Sequence, residues 1–219
     1  MCSCKVVDPP SCTAYASVMR TRSGSVVFVT DPATERFAAA LAPESLQRVQ
    51  SFLNTRASGR PPEPDLLERP ATANAWLRAL DWPTKSRLGA DDLVPLKELR
   101  EALQAEIEAG SDAASRSQRL PLARVLEKLR WKVTPDHGQL VLVAEGAGWR
   151  QVAGTVIAEM MVAQQQGTWP RLKACRNPVC SVIFYDSSKN QSRVWDNTSV
   201  CGNIHNLRAA RARRRVQAP

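Results

Sequence analysis

The sequence predicts a mainly α fold with small β elements, in which an α-rich N-terminal body precedes a small C-terminal module of knuckle, β-hairpin and helix. Three observations predict it. Apolar residues recur at helical spacing through most of the chain before Trp169. At Trp169 the grammar changes to paired cysteines and short β-rich runs. Charge follows the same division: from Arg171 to the end ten Arg or Lys face only Asp186 and Asp196, a net of +8, which leaves +1 of the chain's +9 for everything before it. A nearly neutral body thus carries a basic module, and the asymmetry points to a polyanionic partner.

An apolar content of 43% over 219 residues is ample for a core. No apolar run approaches the roughly 18 to 20 residues of a membrane span, and the N-terminus lacks the charged-then-apolar order of a secretion signal, so a soluble cytoplasmic protein without a membrane partner is expected. In that compartment thiols stay reduced, and Cys175, Cys180 and Cys201 read as metal ligands rather than disulfides. The other three cysteines, Cys2, Cys4 and Cys12, fall in residues 1–25, which read as a disordered extension in preference to a second metal site.

The body is expected to span residues 26–168. "GSVVFV" from Gly24 to Val29 suits a short strand, and "TDPATERFAAALA" has a helix start, with Asp31 as N-cap and Pro32 at the first helical position. Pro43 should end that helix and begin the next, where Leu46, Val49, Phe52 and Leu53 make an apolar stripe. A short helix over Ala73 to Leu80 turns Trp76, Leu77 and Leu80 inward. The clearest helix runs from Asp91 to Ala109 on Leu93, Leu96, Leu99, Leu103 and Ile107. Another is expected from Asp112 to Leu129, with Pro121 as a break or kink. "WKVTPDHGQLVLVAEG" alternates about a turn and reads as a hairpin, with His137 an exposed turn residue, and a last body helix covers Trp149 to Gln166. The six tryptophans read as packing residues rather than as a base-stacking set.

The module, residues 169–219, has too small a core to fold without a staple, and a structural zinc ion supplies about 10 to 16 kcal/mol in zinc-finger peptides. In "CRNPVC" the four residues between Cys175 and Cys180 include Asn177 and Pro178, which suit a tight loop aiming both thiolates at one ion. "SVIFYD" is β-rich, "SSKN" turn-rich, and "QSRVW" from Gln191 to Trp195 is expected to return as the second strand of a hairpin. Beyond Cys201 a helix should run toward Arg215. Four residues separate Asp196 from Cys201, and Asp196 offers a carboxylate as the fourth ligand of Zn2+. His205, four residues after Cys201, is its rival; a water ligand, or no metal with Asp196 capping a turn, are the remaining readings.

The stretch from Cys175 to Arg215 resembles the CGNR zinc finger, in its C-x4-C half-sites, its "FYDSSKNQSRVW" run, its "CGN" and its Arg-rich end. The body, including "LQRVQSFLNTRASG", looks like the ABATE domain that precedes that finger. The resemblance implies Cys175, Cys180, Asp196 and Cys201 as metal ligands and a stress-related bacterial transcription regulator. Two positions depart from the family pattern: Asp196 stands where a cysteine is usual, and Ile204 where the signature has arginine.

"NLRAARARRR" sets Arg208, Arg211 and Arg215 on one helical face, flanked by Arg213 and Arg214, and with Lys189 and Arg193 these are the expected contacts to DNA. The body would serve as sensor of a small-molecule effector or as a homodimerisation domain. No phosphate loop, nucleophile elbow or zinc-protease motif occurs, so a non-enzymatic regulator is expected. The different reading is an enzyme or ligand-binding body braced by its finger.

Overall fold

The computed structural model describes residues 31–59, 61–82, 87–109, 120–136 and 138–217. The N-terminal extension, the strand expected at 24–29, Cys2, Cys4, Cys12 and His137 lie outside the described residues. Element order is α1 (Pro32–Glu35), α2 (Glu44–Leu53), α3 (Pro70–Ala79), α4 (Leu93–Ala109), α5 (Leu120–Leu126), β1 (Trp131–Asp136), β2 (Gln139–Ala144), α6 (Trp149–Gln165), β3 (Leu172–Ala174), β4 (Ile183–Tyr185) and α7 (Asn203–Gln217). No described helix is long and apolar enough to cross a membrane.

The expected stripes converge on one core. Val49, Phe52 and Leu53 of α2, Trp76 and Leu77 of α3, Leu96, Leu99 and Leu103 of α4, and Val152, Val156 and Ile157 of α6 are all buried in it. Each such side chain is worth about 1.5 to 3 kcal/mol of burial, which decides the helix faces more firmly than propensity does. Between α2 and α6, Arg48 Nη1 donates to Glu159 Oε1 at 2.7 Å, and burial pushes the Glu159 carboxyl up to about 7. α6 starts against α4: Asp92 Oδ1 accepts from Trp149 N at 3.0 Å. Gly148 has φ +60°, and a Cβ there would meet Asp92 Oδ1 at 2.3 Å, so only glycine admits the cap.

The first helix is much shorter than its sequence suggests. Asp31 caps it as expected, accepting from Ala33 N and Thr34 N, but it ends at Glu35. The chain turns at residues 36–38, with Ala38 at φ +50°, and long-range polar contacts fix its course beyond the helix. The Arg36 guanidinium donates to the carbonyls of Pro64, Asn54 and Arg56, and Gln50 clamps Ala40 O and Ala42 N at 2.8 and 2.6 Å. Helical periodicity in "ERFAAALA" was a weaker influence than these bonds. Of the helix expected from Asp112 to Leu129, the stretch Leu120–Leu126 forms α5 and includes Pro121, while residues 112–119 lie outside the described residues.

The body hairpin forms as read, with Trp131 opposite Ala144 and Asp136 opposite Gln139. In the module, however, "QSRVW" does not return as a strand. β4 pairs instead with β3, Leu172 opposite Tyr185 and Ala174 opposite Ile183, so the hairpin encloses the cysteine knuckle as its loop. The cause is Asp186. Its buried carboxylate accepts from Ser188 N, Ser188 Oγ and Arg193 N at 3.0, 2.6 and 2.9 Å and from Lys173 Nζ at 2.7 Å. These donors outweigh the burial that opposes its charge and hold it below the usual carboxylate range. The chain from 186 to 193 therefore winds around a carboxylate rather than along a neighbouring strand.

Candidate metal centre

The knuckle is built from backbone bonds that bend the chain after β3. Cys175 N donates to Val182 O at 2.9 Å and Cys180 N to Asn177 O at 2.8 Å, so both thiols end on the inner side of one loop. Arg176 N bonds Val194 O at 3.0 Å and brings in the second half-site. There Asn197 caps a π turn over Thr198–Gly202, its Oδ1 accepting from Ser199 N and Val200 N, and Cys201 N donates to Asn197 O at 2.8 Å. Gly202 lets the turn close on Trp195, since a Cβ there would lie 3.3 Å from the Trp195 ring.

These constraints bring Cys175, Cys180, Asp196 and Cys201 together, with one ligand atom from each lying within 4.8 Å of the others. All four are buried, at 6%, 2%, 7% and 1% exposure. Two sulfurs bound to one zinc ion at about 2.3 Å lie about 3.8 Å apart, so the cluster is near ligand spacing. Its electrostatics ask for a cation. Asp196 Oδ1 is buried without a hydrogen-bond partner, a state that costs several kcal/mol for a carboxylate left unpaired. The Cys175 thiol is pushed far up by the neighbouring Cys180 Sγ, by burial and by Asp196. Burial, with the Asp196 and Cys175 charges, pushes Cys201 up to about 11. A divalent ion inverts each of these effects, because coordinated thiols lose their protons outright. Asn177 Nδ2 stands 3.3 Å from Cys201 Sγ, a donor to sulfur of the kind that orients ligands from outside.

The remaining candidates divide. His205 lies outside the cluster, exposed on α7, with its ring 5.1 Å from that of Trp195. Arg193 is partly engaged: its Nη2 donates to Asp196 O at 2.9 Å and its guanidinium lies over the Phe184 ring at 5.3 Å. Lys189 is exposed on the 186–193 loop, and Arg208, Arg211 and Arg213 are exposed on α7, which also carries Arg214 and Arg215.

Two comparisons place this geometry. Residues 171–214 match the CGNR zinc finger, and residues 46–165, more than half of the chain, match ABATE, described as "Putative stress-induced transcription regulator". The chain belongs to the ABATE family. No curated protein matches it. In this ABATE protein the finger is seated in the body rather than tethered to it. Leu172 and Ile183 belong to the main core, and Ala39 and Phe37 of the body pack with the cysteines. Body backbone reaches the knuckle directly, Gly59 N bonding Cys180 O at 2.9 Å and Tyr185 N bonding Ala40 O at 3.1 Å.

Asn54, at the end of α2, makes the central joint. Its Oδ1 accepts from Ile183 N at 2.9 Å and its Nδ2 donates to Ile183 O at 2.8 Å, as a strand partner would. Nothing in "FLNTR" marks this asparagine, because its partners lie 129 residues away; Asp186 and Asn177 at least carry the turn-forming signature of their residue types. Asn54→Ala leaves the buried Ile183 N–H of β4 unpaired and its carbonyl with Gln50 Nε2 alone, and is expected to cost about 2 to 4 kcal/mol. Thermal denaturation should show a midpoint lowered by about 5 to 15 °C; an unchanged midpoint would mean the seam carries no stability.

Proposed function

We propose that this ABATE protein is a DNA-binding transcriptional regulator whose finger, closed on Zn2+ by Cys175, Cys180, Asp196 and Cys201, presents an arginine helix to the phosphate backbone. The observation that carries the proposal is the position of α7. It starts at Asn203, two residues after the buried Cys201, so a metal at the cluster fixes the root of a helix bearing exposed Arg208, Arg211 and Arg213. Zinc supplies cross-linking here, with no chemistry on a substrate; three thiolates and one carboxylate carry the same formal charge as four thiolates. Asn177 orients Cys201, the Arg193 guanidinium holds the Asp196 carbonyl, and Trp195 packs beside the thiols and excludes water. Exposed Lys189 adds to this charge, Arg214 and Arg215 follow Arg213 in the sequence of α7, and the ABATE body is left free to sense an effector. The family description supports the same reading.

Binding of a labelled duplex, followed by fluorescence anisotropy at about 50 and about 200 mM salt, should fall steeply between the two. No binding at the lower salt would end the proposal. Zinc should co-purify at one per chain, and Asp196→Ala should lose it to a chelator faster than His205→Ala does, since only the former removes a member of the cluster.

A further inference from the structure

The β1–β2 hairpin is an arm whose apolar face extends past the helix that covers it. Register sets Trp131 opposite Ala144, Val133 opposite Leu142 and Pro135 opposite Leu140. Side chains alternate across a strand, so these six residues share one face, and none is charged. At the base that face is closed on α6. Gly154 admits Ala144 there, since a Cβ at position 154 would lie 2.0 Å from the Ala144 methyl and 3.5 Å from the Trp131 ring. Toward the tip the cover ends: Val133 is 61% exposed, Leu142 40% and Leu140 70%. Met161, two helical turns beyond Gly154 on the same face of α6, is 45% exposed and continues the surface.

We propose that this face is a self-association surface, on which the arms of two copies of the chain pack together across a twofold axis. A twofold contact requires a patch complementary to itself, and an uncharged apolar face meets that requirement without any matching of charges. It offers nothing to a phosphate backbone or an acidic partner. Val133, Pro135, Leu140, Leu142 and Met161 expose on the order of 400 Å² of apolar surface, the size of the largest such patch on a typical monomer. Two copies bury about 800 Å² from these residues alone, and a polar rim brings the contact to the roughly 1,200 Å² at which stable interfaces begin. Exposed Arg130 just before β1 and Glu145 just after β2 supply rim charges of both signs. The arm is remote in sequence from the finger, and its role does not depend on whether α7 binds DNA.

Sedimentation velocity over a concentration series tests the surface. The wild-type chain reaches twice its own mass at high concentration, and Leu140→Glu combined with Leu142→Glu weakens dimerisation by about 100-fold or more, with circular dichroism, melting midpoint and zinc content unchanged. Lys132→Glu, on the opposite face of β1, leaves the association within about threefold of wild type. If the double variant fails to fold, Leu140→Ser provides a second reading, with a loss of about tenfold. A wild-type chain that keeps single-chain mass throughout, or a folded double variant that dimerises like wild type, overturns the proposal.

Discussion

Stripping the metal from the finger is expected to destabilise the whole chain, not merely to fray α7. In a tethered zinc module, chelation unfolds the module and leaves its neighbour intact. Here Ile183 and Leu172 are core residues of the body, Asn54 and Gln50 of α2 bond the Ile183 carbonyl, and Gly59 bonds the carbonyl of Cys180. Losing the ion leaves three buried thiols and an unpaired Asp196 carboxylate within 4.8 Å of one another. The knuckle must then open, and β4 loses its support on one side. If only about 4 kcal/mol of the zinc contribution reaches the body, the melting midpoint of a chain this size falls by about 8 to 16 °C. Cys201→Ser should reproduce the shift without a chelator, because a neutral hydroxyl is a poor zinc ligand. Calorimetry that showed the body transition unmoved in both samples would mean that finger and body fold independently.

Replacing Arg211, Arg213, Arg214 and Arg215 together by alanine should abolish duplex binding while leaving zinc and fold in place. None of the four lies in the metal cluster, and alanine has the highest helix propensity, so α7 is not weakened. If each arginine neutralises one phosphate, the log–log salt slope falls by about 3.6. At about 50 mM salt the loss in affinity should exceed about 100-fold. Arg193→Ala is a different kind of change. Its guanidinium holds the Asp196 carbonyl and covers Phe184, so zinc retention should fall along with DNA affinity. Retained affinity in the fourfold variant would assign α7 no part in docking.

The helices of the body were legible because burial fixes them: the stripes on α2, α4 and α6 are spaced for one face, and each reaches the core. The gathering of Cys175, Cys180, Asp196 and Cys201 was legible because ligand chemistry is local. Two cysteines across a turn, and an acid near a third, suffice to suggest it even where the usual cysteine is Asp196. What sequence did not reveal depends on polar side chains that capture backbone groups outside their own helix or strand. The first helix stops at Glu35 because Arg36 and Gln50 capture carbonyls and amides from other segments. The finger hairpin pairs β4 upstream because Asp186 gathers the residues expected to form its partner. Asn54 was invisible for the same reason, and with it the fact that finger and body share a core. The departure at Ile204 is milder: it leaves α7 intact, and Arg208, Arg211 and Arg213 remain exposed along it.

The account rests on an Asp-completed zinc knot that holds the arginine helix, and X-ray absorption at the zinc edge of the purified protein tests it most directly. The expected first shell has three sulfurs at about 2.3 Å and one oxygen at about 2.0 to 2.2 Å, with loss of that oxygen or of the metal in Asp196→Ala. A shell of three sulfurs and one imidazole nitrogen, or a protein without zinc, would contradict it.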